Sequence, residues 1–211
     1  MAAQKPRGAS WAVAFDALML RPSDLKPTGL GRAAAETLAA EGCDIAICSR
    51  GADGVEEAKK SLEAKGVNVF AQAVDVGDKD ALEDFMSAAI EALGGLDILV
   101  SNPSGGNGVD EAAWKSNFDV DLMGAVRSVN SAVKALSQSD CASVIFISST
   151  AAVETFMGPT SYNAIKAALA EGVAARARGM ASGTESGTRS SRIAASRSTR
   201  STTDARCRER R

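Results

Sequence analysis

The sequence contains no histidine. That excludes histidine general bases, Ser-His-Asp triads and most zinc sites. It contains a single tyrosine, Tyr162. No apolar run approaches the roughly 18 to 20 residues that a membrane span needs. The stretch "ASWAVAFDALML" is interrupted by Asp16 and lacks a clear small-residue cleavage site, so neither a membrane partner nor a signal peptide is expected. The four cysteines, Cys43, Cys48, Cys141 and Cys207, show no metal-ligand spacing, and no metal is expected. Cys43 and Cys48 fall at a helix end and in a strand. They read as buried free thiols, which fits a reducing cytosol and a cytoplasmic location.

What is present suits one soluble domain. The chain has 211 residues, 45% of them apolar, enough for a real core. The net charge of −2 hides an asymmetry. From Glu171 onward there are 10 arginines against 4 acids, so residues 1–170 hold 14 of the 24 basic and 22 of the 26 acidic side chains. The tail, residues 171–211, has almost no large apolar side chains, so it cannot offset its ordering entropy and is expected to be disordered. Its Arg-Ser runs carry no interleaved aromatics, so no nucleic-acid partner is expected.

Between the ends, helical and extended patterns alternate. "GLGRAAAETLAAEG" (29–42) is an alanine-rich helix opened by glycines and closed by Gly42. "CDIAICSR" is a short buried strand. In "DGVEEAKKSLEAKG", Val55, Ala58 and Leu62 recur at helical spacing. "VNVFAQAVDV" alternates like a strand. "DKDALEDFMSAAIEALGG" sets Leu82, Phe85, Ala89 and Leu93 on one stripe and stops at Gly94. "LDILVSN" is a further strand, residues 110–136 read as one long helical region, "ASVIFISS" is another strand, and a helix opens around Tyr162. Such alternation predicts βαβ units and an α/β, doubly wound parallel sheet over residues 28–170, with ligands at the strands' carboxyl ends. Residues 1–27 read as irregular.

Tyr162 and Lys166 stand four apart, on one helical face. Alone that spacing says little. Taken with other segments, the chain resembles the short-chain dehydrogenase/reductase family. "GLG" resembles its glycine turn, Asp75-Val76 its adenine-contacting pair, and "LDILVSNPSG" its strand ending in Asn-Asn-Ala-Gly. "VIFISS" resembles its serine-bearing strand, with Ser149 thirteen residues before Tyr162, and "YNAIK" its Tyr-x-x-x-Lys. The body looks most like the acyl-carrier-protein ketoreductase branch.

The resemblance implies a Rossmann fold, hydride transfer to a carbonyl substrate, and a homo-oligomer. It implies catalytic roles for Ser149, Tyr162, Lys166 and Asp121. It implies cofactor contacts from Gly29, Gly31, Ser49, Arg50, Asp75, Val76, Asn102 and Lys166. The chemistry is coherent. Reducing a carbonyl needs stabilisation of its oxygen and a proton source. A phenol, with an ordinary pKa of about 10, serves better beside an ammonium, which favours the phenolate. Ser49 and Arg50 stand where an acid would hold the ribose of NAD, and a guanidinium pairs with phosphate, so NADP (NADPH) is expected. Arg50 otherwise reads as a surface arginine.

Four departures stand out. Leu25 and Asp24 fall where the family's turn has its first glycine and its threonine. Asp121 replaces an asparagine, keeping an acceptor but losing the amide donor. Ser101 and Pro103 replace an asparagine and an alanine. No strand is recognisable before "GLG", and none after Ala170. An incomplete sheet, marginal stability and little turnover are the resulting expectation. The alternative function is a non-catalytic remnant, truncated or produced by a reading-frame change, which binds a partner or does nothing.

Overall fold

The computed structural model describes residues 11–15, 29–106, 108–154 and 158–173. Leu25 and Asp24, and residues 174–211 of the tail expected to be disordered, lie outside the described residues.

Among the described residues, five parallel strands form one sheet in the order β3-β2-β1-β4-β5. They are β1 (Trp11–Phe15), β2 (Asp44–Ser49), β3 (Val69–Ala73), β4 (Ile98–Ser101) and β5 (Ser143–Phe146). Among the described residues, five α-helices lie between the strands, α1 (Leu30–Ala40), α2 (Ala52–Glu63), α3 (Lys79–Leu93), α4 (Glu111–Asn117) and α5 (Gly124–Leu136), and α6 (Thr160–Ala168) follows β5.

The first strand corrects the sequence reading, which found none before "GLG". β1 is the central strand, paired with β2 from Trp11↔Asp44 to Phe15↔Cys48 and with β4 from Ala12↔Ile98 to Ala14↔Val100. The helix after the glycines therefore has its sheet partner. The expectation of an incomplete sheet therefore does not hold between β2 and β4.

Side chains of β2 and β4 alternate between two cores, as period-two geometry requires. Ile45 and Ile47 pack with Ala35, Ala39, Ala58 and Leu62 of α1 and α2. Ala46 and Cys48 point the other way, toward Leu82, Phe85 and Met86 of α3 and Val129 of α5. In β4, Leu99 belongs to the second core and Val100 to the first. The expected helical stripes, Val55/Ala58/Leu62 and Leu82/Phe85/Ala89/Leu93, are buried as read.

α3 is delimited at both ends. Asp78 accepts hydrogen bonds from Asp80 N (3.0 Å) and Ala81 N (3.1 Å), and Gly94 closes the helix at φ 80°, where only glycine is unstrained. Asp78→Ala should cost about 1 kcal/mol by thermal denaturation, and Asp78→Asn only a fraction of that. Equal losses from both would show that the cap does not act through its oxygen.

The strand order reverses between β1 and β4, so a crevice opens at their carboxyl ends, the customary ligand position in such sheets. Residues 110–136, expected as one helix, divide into α4, a π-helical turn at Phe118–Met123 and α5. Single π turns occur often at functional sites. This one carries Asp121.

Candidate active site

Four segments meet at the carboxyl side of β4 and β5: the loop after β4, the π turn, the loop after β5, and α6. The β4 loop is clamped onto α4. A Cβ on Gly105 would lie 2.6 Å from the Ser116 backbone, so only glycine fits there. Ser116 Oγ donates to Gly105 O (2.9 Å), and Ser161 Oγ donates to Gly108 O (3.0 Å). Asn117, fully buried at the end of α4, donates to Ser161 Oγ (3.1 Å). These bonds fix the β4 loop against α6 immediately before Tyr162.

Lys166 is buried, 3% exposed. Its Nζ lies 2.8 Å from Asp121 Oδ1 and donates to the carbonyls of Pro103 (3.4 Å) and Ile147 (3.5 Å). It also sits 5.5 Å from the Tyr162 ring centroid. Asp121 is 1% exposed and its Oδ2 accepts from Gly105 N (2.5 Å). The Asp121–Lys166 contact is a charge pair, since Oδ1 receives no hydrogen bond of good geometry. Two buried ions compensate one another here, which is the condition under which buried charge is tolerated.

Ser149 opens a 3-10 turn at Thr150–Ala152, its Oγ accepting from Ala151 N (3.2 Å), and this turn packs against α6. Ser148 Oγ donates to Lys166 O (3.1 Å), tying the β5 loop to the helix of Tyr162 and Lys166. Tyr162, Lys166, Asp121 and the Ser149 turn are thus gathered into one region.

The other expected residues lie along the same carboxyl edge. Gly29 caps α1 in extended conformation with no side-chain cap, and Gly31 is buried in its first turn, leaving N–H groups that suit a phosphate. Ser49 ends β2 and, with Gly31 and Gly54, lines a cleft between α1 and α2. Arg50 follows it, exposed. Asp75 is exposed and accepts from Gly77 N (2.9 Å), while Val76 is buried. Asn102 is buried just beyond β4. This donor set fits a dinucleotide: helix N–H groups without a side-chain cap among the described residues, small residues lining the cleft next to them, and an exposed cation, Arg50, just after Ser49.

Sequence reasoning missed several supports. Arg127 of α5 donates to Gly77 O (3.0 Å) and braces the Asp75 loop. Asn117, Ser148 and Ser161 hold loops by bonds to residues 18 to 53 positions away, for which no local pattern exists. Cys43 and Cys48 are buried, as read, and burial pushes the Cys48 thiol up, so it stays protonated and unreactive.

The model of the short chain dehydrogenase family matches residues 27–183. Dehydrogenase/reductase SDR family member 4 of Oryctolagus cuniculus is 32% identical over 147 residues, 67% of this chain and 56% of that protein. The chain spans about half the length of the curated relatives of that name. L-sorbose reductase from Gluconobacter frateurii, solved with NADPH and L-sorbose, superposes with a TM-score of 0.70 at 28% identity, over 82% of this chain and 66% of that one. An NAD+-bound xylitol dehydrogenase shares the fold with a TM-score of 0.72 at 18% identity, over 84% and 67% of the two chains. The parallel sheet, the gathering of Tyr162 and Lys166 with the Ser149 turn at its carboxyl edge, and the family match agree: the chain belongs to the short-chain dehydrogenase/reductase family.

Proposed function

We propose that the chain is an NADP-dependent oxidoreductase that reduces a small carbonyl, 3-oxoacyl-like or another small ketone, to an alcohol. The observation that carries this reading is the buried Lys166 ammonium beside Tyr162 at the switch-point edge of the sheet. With no histidine in the chain, the phenol beside this ammonium is the group suited to proton transfer. Tyr162 gives the proton, Ser149 holds the substrate oxygen, and Lys166 supplies positive charge, with Asp121 behind it. Bound NADPH would supply the hydride. Gly29 and Gly31 at the α1 N-terminus would take the pyrophosphate, Ser49 and Arg50 the ribose phosphate, Asp75 and Val76 the adenine, and Asn102 and Lys166 the nicotinamide half.

Residues 28–170, with β1, form the nucleotide-binding domain in this reading. Partners are a small-molecule carbonyl or alcohol and a second copy of the chain, with no nucleic acid or membrane, in the cytoplasm. Among the described residues no helix is long and apolar enough to cross a membrane. The presence of NADPH in L-sorbose reductase supports the cofactor choice. The test is loss of NADPH absorbance with a panel of small ketones and a 3-oxoacyl thioester. Consumption with at least one is expected, whereas consumption of NADH alone contradicts the cofactor assignment.

Arg50 gives that assignment its own check. Arg50→Ala should reduce the preference for NADPH over NADH by about 1 to 3 kcal/mol, as expected for a lost charge-assisted contact. An unchanged ratio of the two dissociation constants would make Arg50 an ordinary surface residue.

A further inference from the structure

Lys166 is surrounded. Three oxygens enclose its ammonium, and only 3% of the residue is exposed. The two carbonyl contacts, at 3.4 and 3.5 Å, lie beyond the ordinary N–H···O range of about 2.7–3.2 Å. The short contact is the one to Asp121, at 2.8 Å. Asp121 cannot follow the ammonium outward. Its Oδ2 is held by Gly105 N, Gly105 is wedged against the Ser116 backbone, and the carboxylate rides on the π turn. In this arrangement the ammonium is committed to a fixed carboxylate and has little surface to offer a bound molecule.

We propose that Asp121 competes with the cofactor for Lys166: the ion pair stabilises the free protein and must loosen for the ammonium to engage bound NADPH, so Asp121 lowers cofactor affinity. The inference rests on NADPH being the ligand. Asp121 is then a positioning residue acting through Lys166. A ligand shifts an equilibrium only by its differential affinity for the two states. Removing the carboxylate's charge raises the energy of the free state, where Lys166 loses its counter-ion, and removes the competitor in the bound state. Stability and affinity therefore move in opposite directions, whereas a merely structural Asp121 would lose both together.

The experiment compares the unmodified full chain with Asp121→Asn by thermal denaturation without cofactor and by NADPH fluorescence titration. The expected result is a lower melting temperature together with a Kd for NADPH about tenfold smaller, equivalent to ~1.4 kcal/mol. An unchanged or weaker Kd overturns the inference while leaving the cofactor reading intact. Absence of NADPH binding by both proteins overturns the cofactor reading and the inference with it. Should the variant not fold, the unmodified chain labelled with 13C at aspartate carboxylates supplies the answer. The Asp121 Cγ resonance is expected to shift as NADPH is added, and a resonance that stays fixed at saturation overturns the inference.

Discussion

Tyr162→Phe should lower carbonyl turnover by about 10²–10⁴-fold, the usual contribution of a positioned general acid, while leaving folding and NADPH affinity close to those of the unmodified chain. The reason lies in what else the site contains. The sequence has no histidine and no second tyrosine. The Ser149 hydroxyl is a poor acid at neutral pH and its oxygen already accepts from Ala151 N. Lys166 is enclosed by Asp121, Pro103 O and Ile147 O. None of these can readily replace the phenol. The substitution removes one oxygen from a half-buried ring, so a stability loss would not mimic the effect. The measurement is initial-rate NADPH consumption at saturating ketone, alongside a melting curve. Retention of most of the activity contradicts the assignment of Tyr162 as proton donor.

Lys166→Met should have the largest effect on stability, about 3–5 kcal/mol, as expected when one partner of a buried ion pair is removed and the other is left uncompensated. Asp121 would remain 1% exposed with Gly105 N as its donor, and Pro103 O and Ile147 O would lose theirs. Methionine nearly matches the lysine stem in volume, so the loss reports charge rather than a cavity. Combining Lys166→Met with Asp121→Asn should recover much of the loss, because replacing both members of a buried pair by neutral groups is often nearly neutral. Chemical denaturation of the parent, both single variants and the double variant gives the coupling directly. If Lys166→Met is as stable as the parent, the ion pair contributes nothing in solution.

The sequence made much of the body legible, for physical reasons that differ by element. The stripes of α2 and α3 announce themselves because one side of each helix faces a core and the other faces water. β2 reads as a strand because its uninterrupted apolar run is buried on both faces. β1 escaped. "WAVAF" is five residues long, a length at which an apolar run cannot be assigned to strand or helix by periodicity. It also lies fourteen residues ahead of Gly29, where a motif-based register does not look for it. The π turn escaped because it interrupts residues 110–136 without any glycine or proline before Gly124 to mark it.

The site divides in the same way. Ser149, Tyr162 and Lys166 share a recognisable spacing over eighteen residues. The Asp121–Lys166 pair joins residues forty-five apart, and whether a carboxylate at position 121 touches the ammonium depends on the clamp of Gly105 against α4. Nothing local encodes that clamp. Arg127 was equally silent, since a helical arginine at an exposed-looking position gives no sign that it reaches Gly77 O.

Cofactor binding by the intact chain is the most direct test of the account. Purified protein should be titrated with NADPH and, separately, with NADH, following the fluorescence of the reduced nicotinamide. Saturable binding of NADPH, weaker binding of NADH, and displacement of bound NADPH by NADP are expected. No saturable signal with either nucleotide, from protein that melts cooperatively, would contradict the claim that this chain is an NADP-dependent reductase.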